Sequence, residues 1–175
     1  MKMTRIRWLY FVVGFIIVPL LIGELPLMAQ DDCAVVKKVL AGAMSKVHST
    51  PTHVYSATKI GNQSFNSEII YAAGTMYTKI NGKWTSAGSI QDMEQTEQDL
   101  KHNANSTDTC RHVKDEPIDG AMAAVYSSHS ETPKGNLDMQ FWISKTTGQL
   151  LRQDLTSDKT LISSRYEYGN VKPPL

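Results

Sequence analysis

The spacing of hydrophobic positions changes along this chain, and each change marks a predicted element. Residues 8–23 (WLYFVVGFIIVPLLIG) form one uncharged run. Beyond residue 33 the apolar positions take helical spacing: Val36, Val39, Leu40, Ala43, Met44 and Val47, with Lys37, Lys38 and Lys46 elsewhere on the wheel. This predicts an amphipathic helix over 33–48. Asp31 and Asp32 read as an N-cap and an acidic first turn. Ser49-Thr50-Pro51 ends the helix, because proline cannot continue the ladder.

From Thr52 the period becomes two, predicting strands at 53–60, 65–72, 75–80 and 83–87. Gly61-Asn62, Gly74 and Asn81-Gly82 separate them. Asn-Gly between Thr-Lys-Ile and Lys-Trp-Thr is a hairpin signal, since the tight turn needs positive φ at both central residues. Residues 89–102 return to helical character, with Ser89 as N-cap and Ile90, Met93 and Leu100 as the apolar stripe. After a polar loop over 103–108, strands are predicted at 109–114, 121–128, 137–144, 149–156 and 160–168. Their breaks carry Asp119-Gly120, Pro133 to Asn136, Thr146-Thr147-Gly148 and Ser157-Asp158. Short turns imply antiparallel pairing, and two meanders with a helix before each make an α+β fold.

The face pattern bears on function. Leu137, Met139, Phe141 and Ile143 share one face, while Trp142 lies opposite with Asp138, Gln140 and Ser144. Leu150 and Leu151 are apolar on both faces; Ile162, Tyr166 and Tyr168 oppose Leu161, Arg165 and Glu167. A sheet covered on one side alternates more cleanly than this. Either helices and loops pack over both faces, or the sheet curves around an apolar cavity.

The opening run fixes the compartment. Lys2, Arg5 and Arg7 precede it, and Glu24, Pro26 and Ala29-Gln30 follow it. A basic start, an apolar stretch and a small residue near a cut define a secretory signal over 1–30, with 31–175 as the single exported domain. The alternative is an uncleaved anchor. The run is short for a spanning helix and Pro19 interrupts it, so no stable membrane span is expected after cleavage. Asp31-Asp32 before Cys33 argue against a lipid-modified cysteine.

Without Lys2, Arg5, Arg7 and Glu24, the 18 basic and 17 acidic residues fall to 15 and 16. That balance gives no reason to expect nucleic acid or an acidic partner. The two cysteines, Cys33 and Cys110, read as one disulfide in an oxidising compartment. A reactive thiol is the rival, without a C-x-x-C motif or a His or Asn pattern behind it.

Catalytic signatures are missing from the sequence. It has no nucleophile elbow, P-loop, dinucleotide fingerprint or H-E-x-x-H. His48, His53, His102, His112 and His129 are scattered, so no metal ligand set emerges and no cofactor is expected. Asp115-Glu116 before Pro117 reads as a solvated strand end at a turn. Asn62-Gln63-Ser64 and Asn105-Ser106-Thr107 match the glycosylation sequon, which has meaning only in a eukaryotic secretory pathway.

A series of motifs in the C-terminal half carries a family resemblance. It runs Ile118-Asp119-Gly120, Ala124-Val125-Tyr126, Phe141 to Arg152 (FWISKTTGQLLR), then Tyr166 to Val171 and the terminal prolines. Met76-Tyr77 and Asn81-Gly82-Lys83-Trp84 come earlier. Over about residues 70–174 this order resembles the periplasmic lipoprotein-carrier superfamily, of LolA/LolB and LppX type. There, a W-I-D-type tripeptide precedes a Lys-x-Thr-Gly turn and a Leu-x-Arg strand; Ser144 replaces the acidic residue here. The resemblance implies a curved antiparallel sheet forming an incomplete β-barrel, with the two helices as lid and an apolar interior. It implies a non-catalytic periplasmic carrier for a lipid or acylated lipoprotein, with an envelope protein as a further partner. Strand alternation nominates Ile70, Met76, Tyr126, Met139, Phe141 and Ile143 as the lining. The rival reading is an envelope scaffold with a filled core. A hydrolase without a recognisable motif is the third.

Overall fold

The computed structural model describes residues 33–91, 107–132 and 135–175. Among these residues one helix, α1 (Cys33–Ser49), precedes nine strands. These are β1 (Thr52–Ile60), β2 (Gln63–Ala72), β3 (Thr75–Ile80), β4 (Lys83–Ser89), β5 (Thr107–Ile118), β6 (Ala121–Thr132), β7 (Gly135–Ser144), β8 (Leu150–Ser157) and β9 (Thr160–Tyr168). The helix and every strand thus form where the hydrophobic period predicts them. Of the second predicted helix, residues 90 and 91 are helical and residues 92–102 lie outside the described residues, as does the expected leader over 1–30.

All nine strands form one antiparallel sheet in the order β4-β3-β2-β1-β9-β8-β7-β6-β5, open at both edges. This is the α+β curved sheet of an incomplete barrel. The two meanders join through β1, which pairs along its whole length with β2 on one side and β9 on the other. Thr52 opposes both Tyr71 and Tyr168, and Ile60 opposes both Gln63 and Thr160. Asn81 (φ 51°) and Gly82 (φ 79°) make the predicted tight turn, and Asp119 (φ 49°) and Gly120 (φ 82°) make a second.

One expectation is corrected. Asp115, Glu116 and Pro117 are not at a turn; β5 continues through them, with Pro117 opposite Met122. Proline is tolerated because β5 is an edge strand and needs no outward N–H. A bulge between His112 and Lys114 further irregularises that edge.

α1 packs across one face of the sheet, the helix face. Val36, Ala43 and Val47 meet Val54, Tyr71, Phe141, Ile143 and Leu150 there. Phe141 is 1% exposed and Leu150 and Val47 0%, so burial of apolar area fixes the helix in place. The helix is also fastened at both ends. Cys33 is disulfide-bonded to Cys110 of β5, with Cα atoms 4.7 Å apart. Lys46 donates to the carbonyl of Thr147 in the β7–β8 turn. A smaller cluster of Ala123, Val125 and Trp142, with Ile118 and Leu151 against it, lies on the other, open face. Both faces are therefore partly covered.

Candidate functional site

The pairing registers arrange the helix face into lateral rows. The innermost joins Met76, Tyr71, Thr52 and Tyr168. The next joins Thr78, Ile69, Val54 and Tyr166. A hydroxyl row follows, Ser67, Ser56 and Ser164, leading to Gln153, Phe141 and Tyr126. Beyond it is an apolar row of Phe65, Thr58, Ile162, Leu155 and Met139, ending at Ser128 and Cys110.

α1 crosses these rows obliquely. It starts at Cys110, in the outer row on β5, and ends where His48 meets Tyr71 in the innermost row on β2 (ring centroids 5.3 Å apart). The corner it does not cross carries Phe65 (52% exposed), Ile60 (48%) and Ile80 (58%). Ile162, Leu155 and Met139 continue this apolar surface toward the core as exposure falls.

Several polar groups on the helix face are paired. Tyr166 donates to Gln153 Oε1 at 3.2 Å and Tyr168 to the Leu150 carbonyl at 2.8 Å. Burial pushes both phenols well above the ordinary tyrosine range. They stay neutral donors and offer no base. The Ser56 and Ser164 hydroxyls bond each other at 2.8 Å.

Five of the six nominated residues lie on the helix face. Phe141 and Ile143 are buried in its core, and Met76, Tyr126 and Met139 pack against it. Tyr126 stacks on Phe141 with centroids 5.8 Å apart. Ile70 does not join them. It lies one position from both Ile69 and Tyr71, which do face the helix, and therefore points to the open face, opposite His53 and Tyr77. Phe65, Ile60 and Ile80 were not singled out by the sequence, although the two-residue alternation from Tyr71 back to Phe65 carried the signal.

On the open face, several charged groups are paired. His53 meets Glu68 at 3.1 Å and Lys79 meets Glu68 at 2.8 Å. The Lys79 hydrogen bond first, then its charge and His53, holds the Glu68 carboxyl below its ordinary value. Trp142 donates to Glu116 at 2.6 Å, and the Arg152 guanidinium lies 4.7 Å from the Trp142 ring while also pairing Asp154. Among the described residues, no group of three or more His, Cys, Asp or Glu is placed to hold a metal.

Comparison with solved structures identifies the architecture. The structure of MucB in complex with MucA(peri) matches with a TM-score of 0.50 at 12% identity, over 79% of this chain and 57% of that one. The Mycobacterium tuberculosis lipoprotein LppX matches at 0.49 and 13%, over 79% and 99%. LprF from Mycobacterium bovis matches at 0.45 and 13%, over 81% and 97%. At these identities the likeness is one of fold alone, and it accords with the curved antiparallel sheet expected from the C-terminal motifs. No protein-family model and no curated protein matches the sequence.

Proposed function

We propose that the protein is an exported, non-catalytic binding protein that holds an apolar ligand, a lipid or the acyl chain of an acylated protein, on the helix face of its sheet. The observation that carries this reading is the corner left by the oblique helix. Ile60, Phe65 and Ile80 are large, apolar and about half exposed, and they continue inward through Ile162 and Leu155. Solvated apolar surface that is continuous with a core favours an apolar occupant. Met139 marks the inner end of this surface. Phe141 and Ile143 lie in the adjoining packed core with Met76 and Tyr126 against it, and support this surface by shape without proton transfer.

The basic start and apolar run support export through a cleaved leader, and the fold supports the periplasm as the compartment. Among the described residues no helix is long and apolar enough to cross a membrane. Amino-terminal sequencing of the exported protein is expected to begin at Gln30 or Asp31. An intact terminus in the membrane fraction would overturn cleavage.

Displacement of a fluorescent fatty acid by fatty acids, phospholipids and acylated peptides tests the ligand. Saturable displacement is expected, weakened by Phe65→Ser about tenfold or more with unchanged circular dichroism. One observation favours the scaffold reading instead. The contact between α1 and the sheet is filled, with Phe141, Leu150 and Val47 all excluded from solvent. Absence of saturable binding to all three ligand classes would leave that reading standing, with a protein as the partner of the exposed corner.

A further inference from the structure

The open face carries a second surface of different chemistry. Asp119, in the β5–β6 turn, meets Arg165 of β9 at 3.3 Å, although β6, β7 and β8 lie between their strands in the sheet. The sheet therefore curls over its open face at this end, as a strongly twisted sheet does along one diagonal. Two open grooves result. One, of about 630 Å³, is lined by residues including Asn66, Glu68, Arg152 and Ser163. The other, of about 700 Å³, includes Arg111, Ser127, Gln140 and Asp154. They meet where Ser163 donates to Asp154 at 2.7 Å.

The registers make this one trough. Asn66, Ser163, Asp154, Gln140, Ser127 and Arg111 belong to a single lateral row, with Ala57 between the first two. The row crosses from β2 to β5, six strand spacings, or about 29 Å. Its floor offers amide, hydroxyl, carboxylate and guanidinium groups, both donors and acceptors. Its wall charges are already paired: Arg152 with Asp154, Arg165 with Asp119 and Glu167, His129 with Asp138, and Lys79 with Glu68.

We infer that this trough is a binding site for a neutral polyhydroxylated chain, a short glycan. Apart from Arg111 at the β5 end, which donates to the Ser127 hydroxyl, these charges are internally paired, so the trough has little net field to select an ion of either sign. An apolar occupant would strip water from the polar row without replacing its hydrogen bonds. An extended peptide takes its main-chain hydrogen bonds from a strand edge, running along the strand, whereas this row runs across strands. A sugar chain supplies hydroxyls along its length that act as both donor and acceptor, matching the row. The site is on the face opposite the proposed apolar corner and does not depend on it.

Titration of the isotope-labelled exported chain with maltohexaose, cellohexaose and chitohexaose, followed by NMR, tests the inference. Saturable shifts at Asn66, Ser127, Gln140 and Ser163 are expected with at least one of the three. Gln140→Ala should weaken that binding about three- to tenfold with the fold unchanged. Phe65→Ser should leave it unaltered, which separates it from the apolar site. Absence of saturable shifts with all three sugars, shifts confined to the helix face, or occupation of the trough by an extended hexapeptide alone would overturn it.

Discussion

At the level of single residues, position relative to the two faces decides what a substitution does. Phe141 is fully enclosed and stacked on Tyr126. Phe141→Ala is expected to cost about 3–5 kcal/mol in urea unfolding. Phe65→Ala, on the same face but half exposed, should cost well under half of that. His129 is held above its ordinary value of 6.5, chiefly by its hydrogen bond to Asp138 at 2.7 Å. A raised folded-state value means the pair's contribution is fully present below pH 6.5 and is lost as pH rises through the folded value. Asp138→Asn should move the His129 titration down toward 6.5, read by NMR. Glu68 runs the other way: its lowered value gives a contribution present above 4.5 and lost on acidification. The placement of Ile70 shows where reading the sequence stops at this scale. Ile69, Ile70 and Tyr71 are all apolar, so alternation cannot say which parity faces the helix; only pairing with Val54 and Met76 decides it.

Among the elements, the strands were legible because their turns are chemically explicit and their two-residue period holds over most of each strand, bulges apart. The reach of β5 through Pro117 was not legible. Proline signals a strand end unless the strand is known to be an edge, and edge status depends on the order of the whole sheet. The oblique path of α1 was hidden for the same reason, since an apolar stripe states which side of a helix is buried but not the angle at which it lies. That path is held by the disulfide as well as by packing. Cys33→Ser with Cys110→Ser removes a link between residues 77 apart, and an unfolding cost of about 4 kcal/mol is expected on the chain-entropy account. Chemical denaturation of the oxidised and double-mutant proteins measures it. Gly82 has φ 79°. Gly82→Val should cost on the order of 1 kcal/mol or more, with the loss concentrated in hydrogen-exchange protection of β3 and β4.

For the molecule as a whole, one sheet presents two chemically unlike surfaces, an apolar corner beside the helix and a polar trough behind it. Side-chain alternation allows this, because neighbouring residues of one strand serve opposite faces. The pairing of β1 with β9 has a further consequence, and it concerns time. β1 is among the earliest segments to leave the ribosome, but its second neighbour is not made until Thr160–Tyr168. Contacts this distant in sequence slow folding, because the loop between them must be closed before they repay its entropy. A chain ending at Ser157 lacks that partner, and its circular dichroism should show an incomplete sheet. While synthesis is in progress β1 keeps an unsatisfied edge, so the polypeptide stays loose and threadable. That is the form the proposed export calls for, and on that proposal the bond between Cys33 and Cys110 locks the finished fold only on the oxidising side.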